Sequence, residues 1–362
     1  MTSRLIPATL LLCVLLPVAS GCSSVGYYSQ SISGHLDLWW HRQPVTELLT
    51  DETIDPELKT RLKAALEMRD FATQRLMLPD NGSYRGFTDL NRRHVVWNVY
   101  AAPEFSLELK KWCFFFAGCV GYKGYYAEDD ALALAAELRN EGMDVHVGGV
   151  DAYSTLGWFD DPLLSTIINR PAPSLAGLIF HELAHQQFYL KGDTAFNESF
   201  AGTVELEGVK LWLAQHGDEQ IMLSQTRRWQ LQREFLELIR EVQSQLKEIY
   251  RQALPDTAKR EAKAQALASF KAQYAHLKQR WHGYKGYDKW LQGEINNAKL
   301  GSIALYEDWK PAFQQLFKEA NGDFTAFYAS VSRLGAMEKE MRDTRLQALL
   351  AAAIKDRDIA SD

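Results

Sequence analysis

Cysteine, long apolar runs and charge imbalance are all scarce in this chain of 362 residues. The four cysteines are Cys13, Cys22, Cys113 and Cys119. The last two have no third thiol or nearby histidine, so nothing suggests a cysteine-based metal site. The apolar run from Leu5 to Pro17 is too short for a comfortable transmembrane span, and no later segment is longer. The formal net charge of −6 gives no reason to expect a nucleic acid as a partner.

The N-terminus has the pattern of a secretory signal, with Arg4 followed by the apolar run and then small residues. We therefore exclude residues 1–21 from the fold as a signal peptide. Ala19-Ser20-Gly21-Cys22 resembles a bacterial lipobox, in which Cys22 becomes the lipidated first residue of the mature protein. The alternative is an ordinary secretory signal followed by a coincidental cysteine. Ser23 rather than Asp follows the cysteine, which favours the outer membrane, so we expect a lipoprotein facing the periplasm.

Cys113 and Cys119 remain in the mature chain. In an oxidising periplasm, two cysteines this close in sequence are expected to form a small-loop disulfide. Two buried thiols are the alternative.

The rest of the chain predicts an α+β fold that is mostly helical. Strand-like stretches occur at 95–100, 109–116, 122–126 and 144–150, with a helix starting at Glu128. After Gly217 almost every segment has helical spacing. The predicted regions are a tether at 22–34, a mixed α/β metallopeptidase region with a small sheet at 35–215, a helical hairpin at 216–285 and a C-terminal helical region at 286–362. The hairpin is either an ordinary packed hairpin or an arm that binds a partner.

The clearest chemical pattern is His181-Glu182-Leu183-Ala184-His185 within an apolar stretch. On a helix, residues four apart lie almost above one another, so both histidines can bind one metal ion. Glu182 is rotated by one residue and can reach a metal-bound water. This arrangement is typical of a zinc hydrolase with a glutamate general base. We expect the helix to begin with Ser174 as its N-cap and to end near Lys191.

A catalytic zinc site needs a third protein ligand. Glu198 is the best candidate, because a break after Lys191 would let a second helix fold back; Asp193 is the alternative. Asn197 and Glu205 are expected to support the ligands from outside the coordination sphere, with Glu205 accepting the ring N–H of a ligating histidine. For Glu205, an ordinary surface acid is the competing interpretation.

These two motifs together resemble the gluzincin metallopeptidases, in which the third ligand is the glutamate of an Asn-Glu-x-x-Ala helix. The chain is also similar to a family of bacterial lipoprotein aminopeptidases across most of its mature length. The similar stretches are 116–125, 152–162 and 191–201. The resemblance implies a peptidase with one Zn²⁺ held by His181, His185 and Glu198, and with Glu182 as base. Two features depart from the pattern: the gap from His185 to Glu198 is shorter than in the best-known gluzincins, and the Gly-x-Met-Glu-Asn motif of zinc aminopeptidases is missing.

A peptidase of this kind also needs a group that stabilises the oxyanion, for which we considered Tyr153 and Tyr306. For both, a structural tyrosine is the alternative. An aminopeptidase further needs a carboxylate that binds the substrate ammonium. The candidates are Asp151, Asp160, Asp161 and Glu205.

The sequence thus predicts a lipid-anchored zinc peptidase acting on peptides, with aminopeptidase activity favoured. An endopeptidase or another zinc amide hydrolase is one alternative, and a non-catalytic scaffold that uses the hairpin is another. The membrane contact is expected through the lipid at Cys22, and the sequence identifies no protein partner.

Overall fold

The computed structural model describes Gln30, Gly34, Leu36 and residues 38–114, 118–152, 154–217, 219–307 and 309–361, with backbone only for 304–307 and 357–361. The predicted signal peptide at 1–21, Cys22 and Tyr153 lie outside these ranges. The predicted tether at 22–34 is described only at Gln30 and Gly34.

Helices dominate the described chain, which confirms the predicted α+β, mostly helical class. The helices are α1 (Val45–Thr50), α2 (Pro56–Leu76), α3 (Glu128–Asn140), α4 (Ala172–Gln187), α5 (Thr194–His216), α6 (Glu219–Arg251), α7 (Asp256–Arg280), α8 (Asp288–Leu291), α9 (Asn297–Glu307), α10 (Lys310–Glu319), α11 (Phe324–Gly335) and α12 (Lys339–Ser361). The strands are β1 (Gln43–Pro44), β2 (Gly86–Thr88), β3 (Val96–Pro103), β4 (Trp112–Phe114), β5 (Gly118–Val120), β6 (Lys123–Tyr125), β7 (Met143–Val150) and β8 (Leu163–Leu164).

The strands form small sheets before the helical half of the chain. β3 pairs antiparallel with β6 on one side and with β7 on the other. Helix α3 packs its alanines against β3 and β7, where Ala131 and Ala135 are fully buried with Val99. Of the strand predicted over 109–116, the described residues 109–114 form only β4, which pairs antiparallel with β5. A second small sheet has the order β1-β2-β8.

The main core surrounds the packed pair α4 and α5. Gly208 of α5 lets these helices approach closely, because a Cβ there would lie 2.7 Å from Leu76 Cδ1 and 2.9 Å from Phe180 Cδ2. On the same helix, Phe200 packs edge-to-face on Tyr328 of α11. The C-terminal helices therefore support the back of the α4–α5 pair.

Helices α6 and α7 form the antiparallel hairpin. Their apolar stripes meet in a second core, which includes Phe235, Ile239 and Phe270. The hairpin docks on the far end of the β3–β7 sheet: Arg260 donates to both Glu104 oxygens at 2.6 and 2.9 Å, and Lys263 lies 2.6 Å from Asp144. Among the helices of the described chain, none is long and apolar enough to cross a bilayer.

The motif helix α4 differs at both ends from the prediction. It begins at Ala172, two residues before Ser174, and the carbonyl of Pro171 accepts the amides of Ser174 and Leu175 at 2.8 and 3.0 Å. Pro173 is tolerated because a first-turn N–H has no helical partner. The helix ends at Gln187 rather than near Lys191, and Phe188 is already extended.

Candidate metal centre

Three predicted ligands converge where α4 packs on α5. His181 and His185 project from α4, and Glu198 projects from the first turns of α5. Glu198 Oε2 lies 3.2 Å from His181 Nε2 and 3.7 Å from His185 Nε2. The three side chains offer ligand atoms that all lie within 4.8 Å of one another.

This donor set fits a single zinc ion. Bonds of about 2.1 Å at tetrahedral angles place ligand atoms about 3.4 Å apart. The separations that involve Glu198 are close to this value. Two imidazoles and one carboxylate are also the donors found in one class of catalytic zinc site, which keeps a fourth position open.

Asn197 fixes the loop that brings Glu198 back to α4. Its side-chain oxygen accepts the Leu190 amide at 2.7 Å, and its Nδ2 donates to the Leu190 carbonyl at 2.8 Å. Asp193, the alternative third ligand, is used otherwise: it caps α5 by accepting the Phe196 amide at 3.2 Å and pairs with Arg342 at 3.0 Å. Both of these Asn197 hydrogen bonds go to the backbone of the loop, and neither goes to a candidate ligand.

Glu205 lies behind His181, two turns along α5 from Glu198. Its Oε2 is 3.1 Å from His181 Nδ1, so a neutral His181 can donate Nδ1–H to Glu205 and present Nε2 to the metal. Burial alone would lower the pKa of His181, but hydrogen bonds to both glutamates raise it well above its usual value. By contrast, His185 Nδ1 is buried with no hydrogen-bond partner in the part of the chain that is described.

Glu182 lies beside the three ligands and faces the same cavity. Its side chain is almost fully buried. Burial raises the pKa of Glu182, and the neighbouring His181 and His185 partly oppose this effect. Glu198 is shifted in the opposite direction. Burial would raise its pKa too, but His185 and His181 hold the pKa of Glu198 below its usual value.

A cavity of about 460 Å³ opens onto the ligands. Its walls come from the β3–β6 sheet, the β4–β5 hairpin and the loop after β7. The lining residues are Val96, Asn98, Phe114, Val120, Tyr122, Gly124, Tyr126, Val150, Ala152, Ser154, Leu156, His181, Glu182, His185, Tyr189, Thr194, Asn197 and Glu198. No residue of the α6–α7 hairpin lines it within the described ranges, so the hairpin supports the sheet from the opposite end.

Tyr122 and Tyr189 are cavity residues that sequence reasoning missed. Burial raises the pKa of Tyr122 well above its usual value, and the nearby Glu198 charge adds to this effect. Burial and the charge of Glu198 also raise the pKa of Tyr189. Tyr122 falls in the 116–125 stretch that resembles the family, which was the available signal for it, whereas Tyr189 lies beyond the end of α4, so helical spacing from His185 does not place it.

The residues predicted to bind the oxyanion or the substrate ammonium are not found among the described residues that line the cavity. Tyr153 lies outside the described residues, and Tyr306 lies on α9, where only its backbone is described. Asp151 is held by His94 and Arg170, each at 2.6 Å. Neither it nor the three other ammonium candidates, Asp160, Asp161 and Glu205, lines the cavity.

The described residues of the 152–162 stretch, Ala152 and 154–162, lie in a loop along α4. Asp161 Oδ2 accepts the Thr155 amide at 3.0 Å and the Gln186 side-chain amide at 3.2 Å. Ser154 Oγ is 3.4 Å from the same oxygen and lines the cavity. This stretch therefore fixes one wall of the cavity against the metal-ligand helix.

The β4–β5 hairpin forms another wall. A disulfide joins Cys113 and Cys119, which are directly paired across the two strands. Gly118, at φ +78°, packs so tightly on the loop between α4 and α5 that a Cβ would lie 2.8 Å from the Gly192 amide nitrogen. The hairpin is thus cross-linked internally and seated on the loop that carries the third ligand.

One comparison with known proteins gives a result. A family model described as “Putative aminopeptidase” matches residues 26–346, which include every described residue of the candidate site. No curated protein and no solved structure matches the chain.

Proposed function

The chain belongs to the family described as “Putative aminopeptidase”, and from this premise we propose that it is a zinc-dependent peptidase that hydrolyses peptide bonds. The observation that carries the proposal is the convergence of His181, His185 and Glu198 in one cavity with Glu182 beside them. A purely structural zinc site needs ligands but no adjacent base. This argues against the scaffold alternative.

In the proposed mechanism, Glu182 is the general base. It accepts a proton from the attacking water and returns it to the leaving amine. Burial raises the pKa of Glu182, which suits a group that must both take and give a proton near neutral pH. When bound by the three ligands, zinc would supply a Lewis acid that acidifies water and polarises the scissile carbonyl. Glu205 orients His181 for that role through the Nδ1 hydrogen bond.

Tyr122 is our candidate for the hydroxyl that stabilises the oxyanion. It lines the same cavity as the candidate ligands, and its phenol is protonated at neutral pH, since burial raises a pKa whose usual value is already near 10. A protonated phenol can donate a hydrogen bond to the negative oxygen that develops during attack. Tyr189, which lines the cavity beside Glu198, is the second candidate.

Aminopeptidase activity is the expected specificity, and one observation favours an endopeptidase as a second candidate. Among the described residues, the carboxylates that line the cavity are Glu182 and Glu198 alone. Both already have roles, so no spare carboxylate is available there for a substrate ammonium. A peptide without a free N-terminus would then bind as well as one that has it.

We further propose that the protein is a lipoprotein of the outer membrane that acts in the periplasm. The support is the signal-like N-terminus that ends in Ala19-Ser20-Gly21-Cys22. Mass spectrometry of the protein from membranes would show Cys22 as a lipidated first residue.

The decisive experiment combines metal analysis with a substrate screen. The purified protein should contain about one zinc per chain and should cleave members of a peptide library. The Glu182→Gln variant should retain zinc and lose activity by several orders of magnitude. Unchanged cleavage by this variant would refute the mechanism, and zinc without any cleavage would favour the scaffold.

Pairs of free and N-acetylated substrates separate the two specificities. Cleavage of only the free peptides indicates an aminopeptidase, and equal cleavage of both indicates an endopeptidase.

A further inference from the structure

Large apolar side chains are exposed in two stretches of the described chain, one around Trp39 and the other at Trp158 and Phe159. We call them together the apolar face, and its members are Leu36 (51% exposed), Trp39 (48%), Trp40 (79%), Trp158 (69%) and Phe159 (51%). Exposed indole rings are costly to leave in water, because each carries a large apolar area. Exposed apolar clusters of this kind mark sites of contact with another phase or partner.

The body of the protein holds the first part of this face in place. Leu38, between the exposed residues, is buried in the main core, and its carbonyl accepts the Thr88 hydroxyl at 3.0 Å. Arg42 follows and donates to the Gly82 carbonyl at 2.8 Å. The two tryptophans are therefore displayed from a fixed base.

The two parts of the face are connected, and they adjoin the cavity. Arg42 lies 3.8 Å from Asp160, which directly follows Trp158 and Phe159 in the chain. Leu156, two residues before Trp158, lines the cavity that holds the metal ligands. The apolar face thus continues along the loop that forms one wall of the cavity.

The N-terminal segment reaches the same rim. The amide of Tyr126, a cavity-lining residue, donates to Gln30 Oε1 at 3.1 Å. Gly34 packs on the Tyr126 ring so closely that a Cβ would lie 2.4 Å from its Cγ. Cys22 precedes Gln30 by eight residues (30 minus 22). Eight residues span at most about 28 Å, so a lipid on Cys22 would hold this rim close to the bilayer.

We infer that the apolar face is a membrane-docking surface that holds the mouth of the cavity toward the lipid bilayer. The inference rests on the lipid attachment at Cys22 that forms part of the proposed function. Tryptophan is the side chain that best suits the membrane–water interface, since its ring is apolar and its N–H is polar. With the anchor, the face would supply the second membrane contact that a single acylated segment needs to hold a fixed orientation. Substrates would then enter the cavity from the membrane side.

Vesicle binding tests the face without its lipid. The mature chain that carries Cys22→Ser should sediment with vesicles of phosphatidylethanolamine and phosphatidylglycerol. Adding Trp39→Ala and Trp40→Ala should weaken this binding at least about tenfold, because two large interfacial contacts are lost. A matched control carries Leu223→Ala and Met341→Ala, which remove two equally exposed apolar side chains elsewhere on the surface. The control should bind as the parent does.

Two further measurements make the outcome unambiguous. Tryptophan fluorescence of the parent should be quenched by vesicles whose acyl chains are brominated, and this readout needs no variant. Hydrolysis of a soluble peptide should be equal in the parent and the tryptophan variant, so a failed enzyme assay cannot be mistaken for failed docking. No vesicle binding by the parent, no quenching, or an equal loss in the control would overturn the inference.

Discussion

Asp161 offers a test of the loop that braces the motif helix. It is 2% exposed, and its Oδ2 accepts hydrogen bonds from Thr155 and Gln186. Its Oδ1 is buried and has no hydrogen-bond partner in the described chain. Burial raises the pKa of Asp161 to about 6; hydrogen bonds to Thr155 oppose the rise, and the charge of Glu182 adds to it. The perturbation we consider is Asp161→Asn, which removes the titration and keeps an oxygen acceptor.

Proton linkage determines whether the stability contributed by Asp161 rises or falls with pH. The folded protein binds this proton more tightly than the unfolded chain, whose Asp titrates near 3.8. Asp161 therefore contributes stability that is fully present below pH 3.8 and is lost as the pH rises through about 6. The full effect of a shift of about two units is about 3 kcal/mol. Between pH 7 and pH 5 the expected gain in the free energy of unfolding is about 1 kcal/mol.

Urea denaturation of both proteins at pH 7 and pH 5 measures this gain. Groups that do not interact with Asp161 titrate alike in both proteins and cancel in the difference between the two pH responses. The wild type should gain about 1 kcal/mol more than Asp161→Asn on acidification. Identical responses would refute the assignment of a raised pKa to Asp161, whatever constant offset the substitution adds.

Three other substitutions test the centre itself. Glu205→Gln should weaken zinc affinity about 10- to 100-fold, because His181 loses its charged acceptor; an unchanged affinity in a competition titration would show that Glu205 is only a surface acid. Tyr122→Phe should lower kcat by about 10²–10³ with KM and zinc content nearly unchanged, and if Tyr189→Phe has that effect instead, the second tyrosine is the oxyanion donor. Asn197→Ala should destabilise the protein by about 2–3 kcal/mol in chemical denaturation, since both Leu190 backbone groups lose their partner; a loss below about 0.5 kcal/mol would contradict this role.

The grouping of the candidate metal ligands was predictable in part, because two of the relevant spacings lie within single helices. His181 and His185 are one helical turn apart, and Glu198 and Glu205 are two turns apart. Helical geometry alone then puts each pair on one face. Long-range sheet pairing was not predictable in this way: β2 pairs in parallel with β8, seventy-six residues on (163 minus 87), through two-residue contacts that leave no periodicity.

Cavity residues were harder to predict than ligands for a physical reason. Tyr122 reaches the centre only because the β3–β6 pairing and the cross-linked β4–β5 hairpin place it there. Its chemistry is that of any buried tyrosine until the fold brings Glu198 near it. The same holds for the ammonium candidates: none of them lines the cavity, and Asp151 is already bound by His94 and Arg170.

The short gap between His185 and Glu198 is explained by the early end of α4. A helix that continued to Lys191 would leave only two residues before α5 begins at Thr194, which is the lower limit for a connection between packed helices. Ending at Gln187 frees six residues, 188–193, for the turn. Asn197, which directly precedes Glu198 in the chain, then closes this loop by hydrogen bonding to the backbone of Leu190. The Asn-Glu pair therefore couples the loop closure to the ligand position, so Asn197 acts on the metal centre through the backbone it holds.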